Sequence, residues 1–199
     1  IACAEGTANP SSGQTTVAAC AACAAGRYQA EAGAATCNAC AAGKYGDQTG
    51  QQSDSSCENC GAGRYNAAVG ATNVGMCTEC GSGRYSNAAV ATAATNCIAC
   101  DAGTASPSSG QTTVASCAAC AAGRHQDETG AASCDACAAG KYGDQTGQQS
   151  DSSCKNCGGG RYNAAAGATN VGMCTECGSG RYSNAAAATA ATNCIACAE

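Results

Sequence analysis

The residues able to do chemistry in this chain are its cysteines, 21 in 199 residues. They come as C-x-x-C blocks whose first members are Cys20, Cys37, Cys57, Cys77 and Cys97, then Cys117, Cys134, Cys154, Cys174 and Cys194. Such blocks can cross-link oxidatively, exchange disulfides or ligate zinc. Exchange of the thioredoxin kind needs a βαβ setting, and no such pattern is present. The spacing C-x2-C-x16-C-x2-C satisfies a zinc ribbon, but each ion would take two blocks. Five blocks per larger repeat cannot be grouped in twos without changing partners from one repeat to the next. The same parity opposes crossed disulfides confined to pairs of blocks.

One scheme tiles without conflict: the second Cys of each block bonds the first Cys of the next. The expected bridges are Cys3–Cys20, Cys23–Cys37, Cys40–Cys57, Cys60–Cys77, Cys80–Cys97, Cys100–Cys117, Cys120–Cys134, Cys137–Cys154, Cys157–Cys174 and Cys177–Cys194, with Cys197 left over. Spacing alone does not fix connectivity, and a zinc-ribbon-like metal-binding array stays as the competing arrangement.

The steps run 20, 17, 20, 20, 20 and begin again, so residues 3–99 and 100–196 align without gaps and differ at thirteen positions. The first super-repeat, 3–99, holds units 3–20, 23–37, 40–57, 60–77 and 80–97. The second, 100–196, holds units 100–117, 120–134, 137–154, 157–174 and 177–194. Residues 1–2 and 197–199 read as partial units of an array expected to continue past both termini, or of subunits joined end to end.

Cross-links are needed because little else can hold such units. The chain has no Leu, Phe or Trp, and its larger aliphatic residues are three Ile, six Val and two Met. That cannot fill the core of a 199-residue globular domain. Disulfides at this density imply an oxidising compartment, so the chain is expected to be extracellular or at a cell surface. No stretch is long and apolar enough for a transmembrane segment. A net charge of −5 disfavours nucleic acid as a partner.

Counting from the second Cys of each block, glycine follows three residues later in every unit, from Gly6 and Gly26 to Gly180. A second glycine follows at ten in most, replaced by Val90 and Ala187 in the fifth unit of each super-repeat. Glycine at fixed offsets marks tight turns with positive φ. Between the two turns lies a basic–aromatic pair. Its basic members are Arg27, Lys44, Arg64, Arg84, Arg124, Lys141, Arg161 and Arg181; its aromatic members include all seven tyrosines. Neighbours on an extended segment face opposite ways, so the tyrosine is expected over a disulfide and the basic residue towards solvent. The basic set is also a candidate docking stripe for acidic partners or glycans. The first unit of each super-repeat carries Thr7-Ala8 or Thr104-Ala105 there, then Pro10 or Pro107, and is expected to be a bend or looser joint.

The predicted fold is therefore small disulfide-rich repeats in an elongated, solenoid-like rod. It consists of turns and very short β-strands, with little or no helix and no large hydrophobic core. A single helical turn could form within 87–96. One closed loop offsets only part of the entropy of ordering its residues, so units are marginal alone and stable in series.

Other reactive types carry less. His125 replaces a tyrosine, reading as a tolerated variant and not a base or ligand. Asp47, Asp54, Asp144 and Asp151 read as solvated turn carboxylates before calcium ligands. No N-x-[ST] sequon is open, since Pro10 blocks Asn9. Thr15, Thr16, Thr49, Ser53, Ser55 and Ser56 are candidate O-glycan positions. No catalytic or cofactor-binding residue is expected, and an enzyme is not.

The phrase Cys20-Ala21-Ala22-Cys23-Ala24-Ala25-Gly26-Arg27-Tyr28 resembles ephrin-receptor-like and growth-factor-receptor-type cysteine-rich repeats. In its alanine-, serine- and threonine-rich tandem form it is similar to ciliate surface proteins of the immobilisation-antigen kind. The resemblance implies an extracellular coat protein, often lipid-anchored. The expected function is a structural rod or filament assembling with itself, the alternative a surface adhesion or ligand-binding module using the basic–tyrosine stripe.

Overall fold

The computed structural model describes residues 1–198. The expected partial unit 197–199 ends on Glu199, outside the described residues. The chain divides into two units, one of residues 1–81, 85–98 and 109–113, the other of residues 82–84, 99–108 and from Val114 onward. Both are built from the same module.

In the first unit, two-residue strands pair antiparallel: Thr7–Ala8 with Ala21–Ala22, Arg27–Tyr28 with Asn38–Ala39, Lys44–Tyr45 with Glu58–Asn59, and Arg64–Tyr65 with Thr78–Glu79. In the second, Thr104–Ala105 pairs with Ala118–Ala119, Arg124–His125 with Asp135–Ala136, Lys141–Tyr142 with Lys155–Asn156, Arg161–Tyr162 with Thr175–Glu176, and Arg181–Tyr182 with Ile195–Ala196. Among the described residues there is no α-helix. The longer loops instead close through a single 3-10 turn just before the first Cys, such as Val74–Met76 and Ala94–Asn96.

Ten disulfides lock these loops, joining Cys3–Cys20, Cys23–Cys37, Cys40–Cys57, Cys60–Cys77, Cys80–Cys97, Cys100–Cys117, Cys120–Cys134, Cys137–Cys154, Cys157–Cys174 and Cys177–Cys194. Their Cα atoms lie 5.5–5.8 Å apart, the ordinary span for a bridge. Cys197 is free and exposed. The buried apolar residues are cysteines and alanines alone among those described, Ala71, Ala91, Ala168 and Ala188 being the most deeply buried of the alanines. Val17, Val69, Val114 and Ile98 stay exposed. Sulfur and methyl groups thus take the place of an oily interior.

Neighbouring repeats are joined through the backbone. The glycine three after the second Cys donates its N–H to the next repeat, Gly6 to Gln29 C=O and Gly63 to Ser86 C=O, at 2.7–2.8 Å. In return the second glycine of the next repeat donates to the second Cys, Gly33 to Cys3 C=O and Gly70 to Cys40 C=O, each 2.7 Å. A third bond runs between them, Asn66 N–H to Ala91 C=O at 3.0 Å. A parallel bridge, Tyr65 with Ala91, runs beside these bonds.

The first glycine also touches the repeat after next. A Cβ on Gly26 would sit 2.3 Å from the Gly70 carbonyl oxygen, and one on Gly103 would sit 2.5 Å from that of Gly147. Its φ is positive as well, +78° at Gly26, so both backbone shape and the neighbour's approach demand glycine.

The units holding Pro10 and Pro107 are not looser joints. Thr7–Ala8 and Thr104–Ala105 form the usual strand, Thr7 and Thr104 hydroxyls donate back to Ala4 and Asp101 carbonyls, and all three inter-repeat bonds are present. Alanine in place of tyrosine removes bulk without touching the backbone bonds that join repeats.

Candidate functional site

The chemistry-bearing side chains converge on the two-residue strand and its partners. Position six after the second Cys follows each aromatic, or the alanine that replaces it in the first unit of each super-repeat. Its residue, Gln29, Asn66, Ser86, Ser106, Gln126, Asn163 or Ser183, is buried. Most of these side chains accept from the N–H two residues on: Asn66 Oδ1 from Ala68 at 3.0 Å, Ser86 Oγ from Ala88 at 3.4 Å, Asn163 Oδ1 from Ala165 at 3.1 Å. The short units use glutamine, whose longer arm also donates to the far limb, Gln29 Nε2 to Thr36 C=O at 2.7 Å and Gln126 Nε2 to Ser133 C=O at 2.8 Å. Sequence reasoning missed this position. Its signal was a polar residue or glycine at one offset in every unit, with glutamine only where three residues are gone.

Strand alternation predicts that the basic residues face solvent. Arg27, Arg84, Arg124 and Arg181 are exposed while Lys44, Arg64, Lys141 and Arg161 are half-buried, but these side chains are also engaged. Arg64 lies directly across the strand pair from Glu79 and binds it at 2.9 Å, and Arg161 binds Glu176 at 2.6 Å. Lys44 pairs with Asp54 at 2.7 Å and Lys141 with Asp151, each carboxylate opening a 3-10 turn. Arg27, Arg124 and Arg181 donate to the carbonyls of Cys37, Cys134 and Cys194. Arg84 is engaged too. For Arg64 and Arg161 the physical reason is register, since the partner strand sets a glutamate opposite each. The two lysines reach the 3-10 turn of their own loop, and Arg27, Arg124 and Arg181 reach the carbonyl of the cysteine that closes it.

Three of the four carboxylates weighed as calcium ligands, Asp54, Asp144 and Asp151, are likewise ion-paired. Lys155 binds Asp144 at 2.7 Å. That hydrogen bond holds the Asp144 carboxyl below its ordinary range and raises the Lys155 ammonium in return. Lys155 also lies 6.0 Å from the Tyr142 ring centre, at the edge of cation–π range. In the other super-repeat Glu58 holds that place and accepts from the Tyr45 hydroxyl, which pushes the phenol above its usual value. One position opposite one tyrosine therefore carries opposite charge in the two super-repeats. Glu79 accepts from Ser109 Oγ at 2.7 Å as well as from Arg64, and both keep its carboxyl low. Asp47 is exposed beside Gln48, which reaches its Oδ1 at 3.3 Å.

Most tyrosines are half-buried and Tyr182, after which the described residues hold no further complete repeat, is 47% exposed. The covering thus comes from the next repeat. His125 shows what it covers: its Nδ1 lies 3.9 Å from Cys154 Sγ of the following bridge. His125, Cys137 and Cys154 offer ligand atoms within 4.8 Å of one another. The two sulfurs are bonded to each other, however, so no thiolate pair faces the ring. The zinc-ribbon arrangement is likewise not the one adopted, since its thiols are spent in bridges.

Of the candidate O-glycan positions, Thr15, Thr16, Thr49 and Ser55 are exposed. Ser53 is half-buried and caps its turn by accepting from Ser55 N–H at 3.1 Å, and Ser56 is half-buried within that turn. Hollows flank the first repeat, one lined by Ala2, Cys3, Thr7, Val17, Cys20 and Ala32, with no acid, base or free thiol among them. Among the described residues no helix is long and apolar enough to cross a membrane.

No curated protein matches the chain. Residues 11–57 and 108–154, two stretches one super-repeat apart, match the family model described as tyrosine-protein kinase ephrin type A/B receptor-like. These two stretches are similar to ephrin-receptor-like cysteine-rich repeats, and the ten bridges closing tandem loops fit that extracellular type of module.

Proposed function

We propose that this is a structural protein of the cell exterior, a rod or filament of a surface coat, and not an enzyme. One observation carries the reading: the bridged sulfurs, the paired cations and most turn N–H groups are spent on a repeat's own loop or on the repeats beside it. A binding or catalytic face would keep some of these groups free to meet a ligand. Repeats that bond only near neighbours in sequence can be added in series without changing register, which suits a long element.

The adhesion alternative would have a partner compete with Glu79, Asp54 and the cysteine carbonyls for the same cations. Electron microscopy of purified native material tests the proposal. Extended particles with an axial repeat support it, and round particles would sink it. The paired swap Arg64→Glu with Glu79→Arg separates the two readings. It preserves the cross-strand pair, so a structural role predicts unchanged particles and unchanged surface attachment, whereas a docking stripe predicts lost attachment.

A further inference from the structure

The chain has two methionines, Met76 and Met173, at equivalent places in the two super-repeats. Each ends the 3-10 turn before a bridged cysteine, and they are 43% and 44% exposed. Neither lies in a core. Their sulfurs serve as acceptors: Thr72 N–H and Oγ1 approach Met76 Sδ at 3.3 and 3.6 Å, and Thr169 repeats both contacts on Met173 at the same distances. The next repeat places an oxygen in this role. Asn96 Oδ1 accepts from Thr92 and Ala93 N–H, each at 3.0 Å, and Asn193 does so from Thr189 and Ala190. The same turn thus accommodates either a thioether or a harder oxygen acceptor.

We propose that Met76 and Met173 are oxidation sites whose sulfoxides keep the turn closed. A hydroperoxide delivers one oxygen to the thioether. The O–O bond breaks, an S–O bond forms, sulfur gives up two electrons, and the departing hydroxide takes a proton to leave as water when the oxidant is hydrogen peroxide. Sulfoxide formation disrupts methionines that pack in cores, because it makes an apolar side chain polar. Here the side chain is exposed, so the sulfur has room to draw back and offer the same donors a stronger oxygen acceptor in place of its weak one. Each super-repeat then holds one place where oxidant is consumed while the bridges stay intact.

The test uses the full chain with Cys197 alkylated, exposed to hydrogen peroxide and read by peptide mass and amide exchange. The expected result is one added oxygen on each methionine peptide, with Thr72 and Thr169 N–H as protected as before. The double variant Met76→Leu, Met173→Leu loses the acceptor, and those two amides should exchange roughly tenfold faster. The variant Met76→Asn, Met173→Asn should keep them protected and gain no oxygen there. Unmodified methionines after treatment would overturn the proposal. So would oxidised chains whose Thr72 and Thr169 amides exchange as fast as in the leucine variant.

Discussion

A Cβ built on Gly63 would lie 2.3 Å from the carbonyl oxygen of Gly110, two repeats further on. Gly160 has the same positive φ, +75° against +77°, but the repeat two further on falls outside the described residues, and nothing lies within 4 Å of its Cβ position. The two glycines separate backbone conformation from close approach. Gly160→Ala should cost about 1–2 kcal/mol for the left-handed residue alone. Gly63→Ala adds overpacking against backbone that cannot turn aside, for a total on the order of 3 kcal/mol. Denaturant unfolding of both variants checks this, and equal losses would mean that the second-neighbour contact is absent in solution.

Ala187 gives the converse. It occupies the second-glycine place with φ of 57° and still donates to Cys157 C=O at 3.1 Å. Ala187→Gly should stabilise the chain by about 1 kcal/mol, because strain is relieved while the bond is kept. A variant less stable than the parent would show that Ala187 does not hold this conformation.

The buried amide of the short repeats has two jobs that substitution can separate. Gln29 accepts from Glu31 N–H at 3.0 Å and donates to Thr36 C=O at 2.7 Å. Gln29→Asn keeps the first and cannot span the second, for a loss of about 1 kcal/mol. Gln29→Ala leaves both backbone groups without a side-chain partner and should lose about 2–3 kcal/mol. Melting of the two variants beside the parent orders them, and an asparagine variant as damaged as the alanine one would contradict the division.

Much of this molecule was legible because cysteine and glycine have few uses at fixed spacing. The loop boundaries, the positive-φ turns and the lack of an oily core follow from residue types at constant offsets. The helical turn expected within 87–96 is the 3-10 turn Ala94–Asn96. What spacing could not convey is which groups meet across repeats. Arg64 and Glu79 are fifteen apart and recur as Arg161 and Glu176, but only the strand register turns that recurrence into an ion pair. The contact of first glycines such as Gly26 and Gly63 with the second repeat onward has no signature beyond the glycine, which positive φ already explained.

Glu79 makes the molecule respond to acid in a defined direction. Ser109 first and Arg64 second hold its folded carboxyl below the ordinary glutamate value. A depressed folded value stabilises the fold above the unfolded value, and that contribution is lost as pH falls through the folded one. Ser109→Ala should therefore move the Glu79 titration upward, towards the usual range, and start acid loosening of this strand pair at a higher pH. Side-chain carboxyl NMR shifts followed against pH report it directly, and an unmoved midpoint would remove Ser109 as the main cause.

The bridges should act locally and then spread by a fixed distance. Replacing Cys60 and Cys77 together by alanine opens a loop of sequence separation 17, which should cost about 3 kcal/mol. The loosened repeat bonds backward through Gly43 to Asn66 C=O and Gly70 to Cys40 C=O, and forward through Gly63 to Ser86 C=O. It also meets Gly26 through the Gly70 carbonyl. Amide exchange should rise at Gly43, Gly63 and Gly70, rise less at Gly26, and stay unchanged at Gly6, whose partner is Gln29. Exchange confined to Gly63 and Gly70 would mean that repeats stand alone once bridged. A uniform rise through Gly6 would mean that the sulfur links, and not the bonds between neighbours, carry the cooperativity.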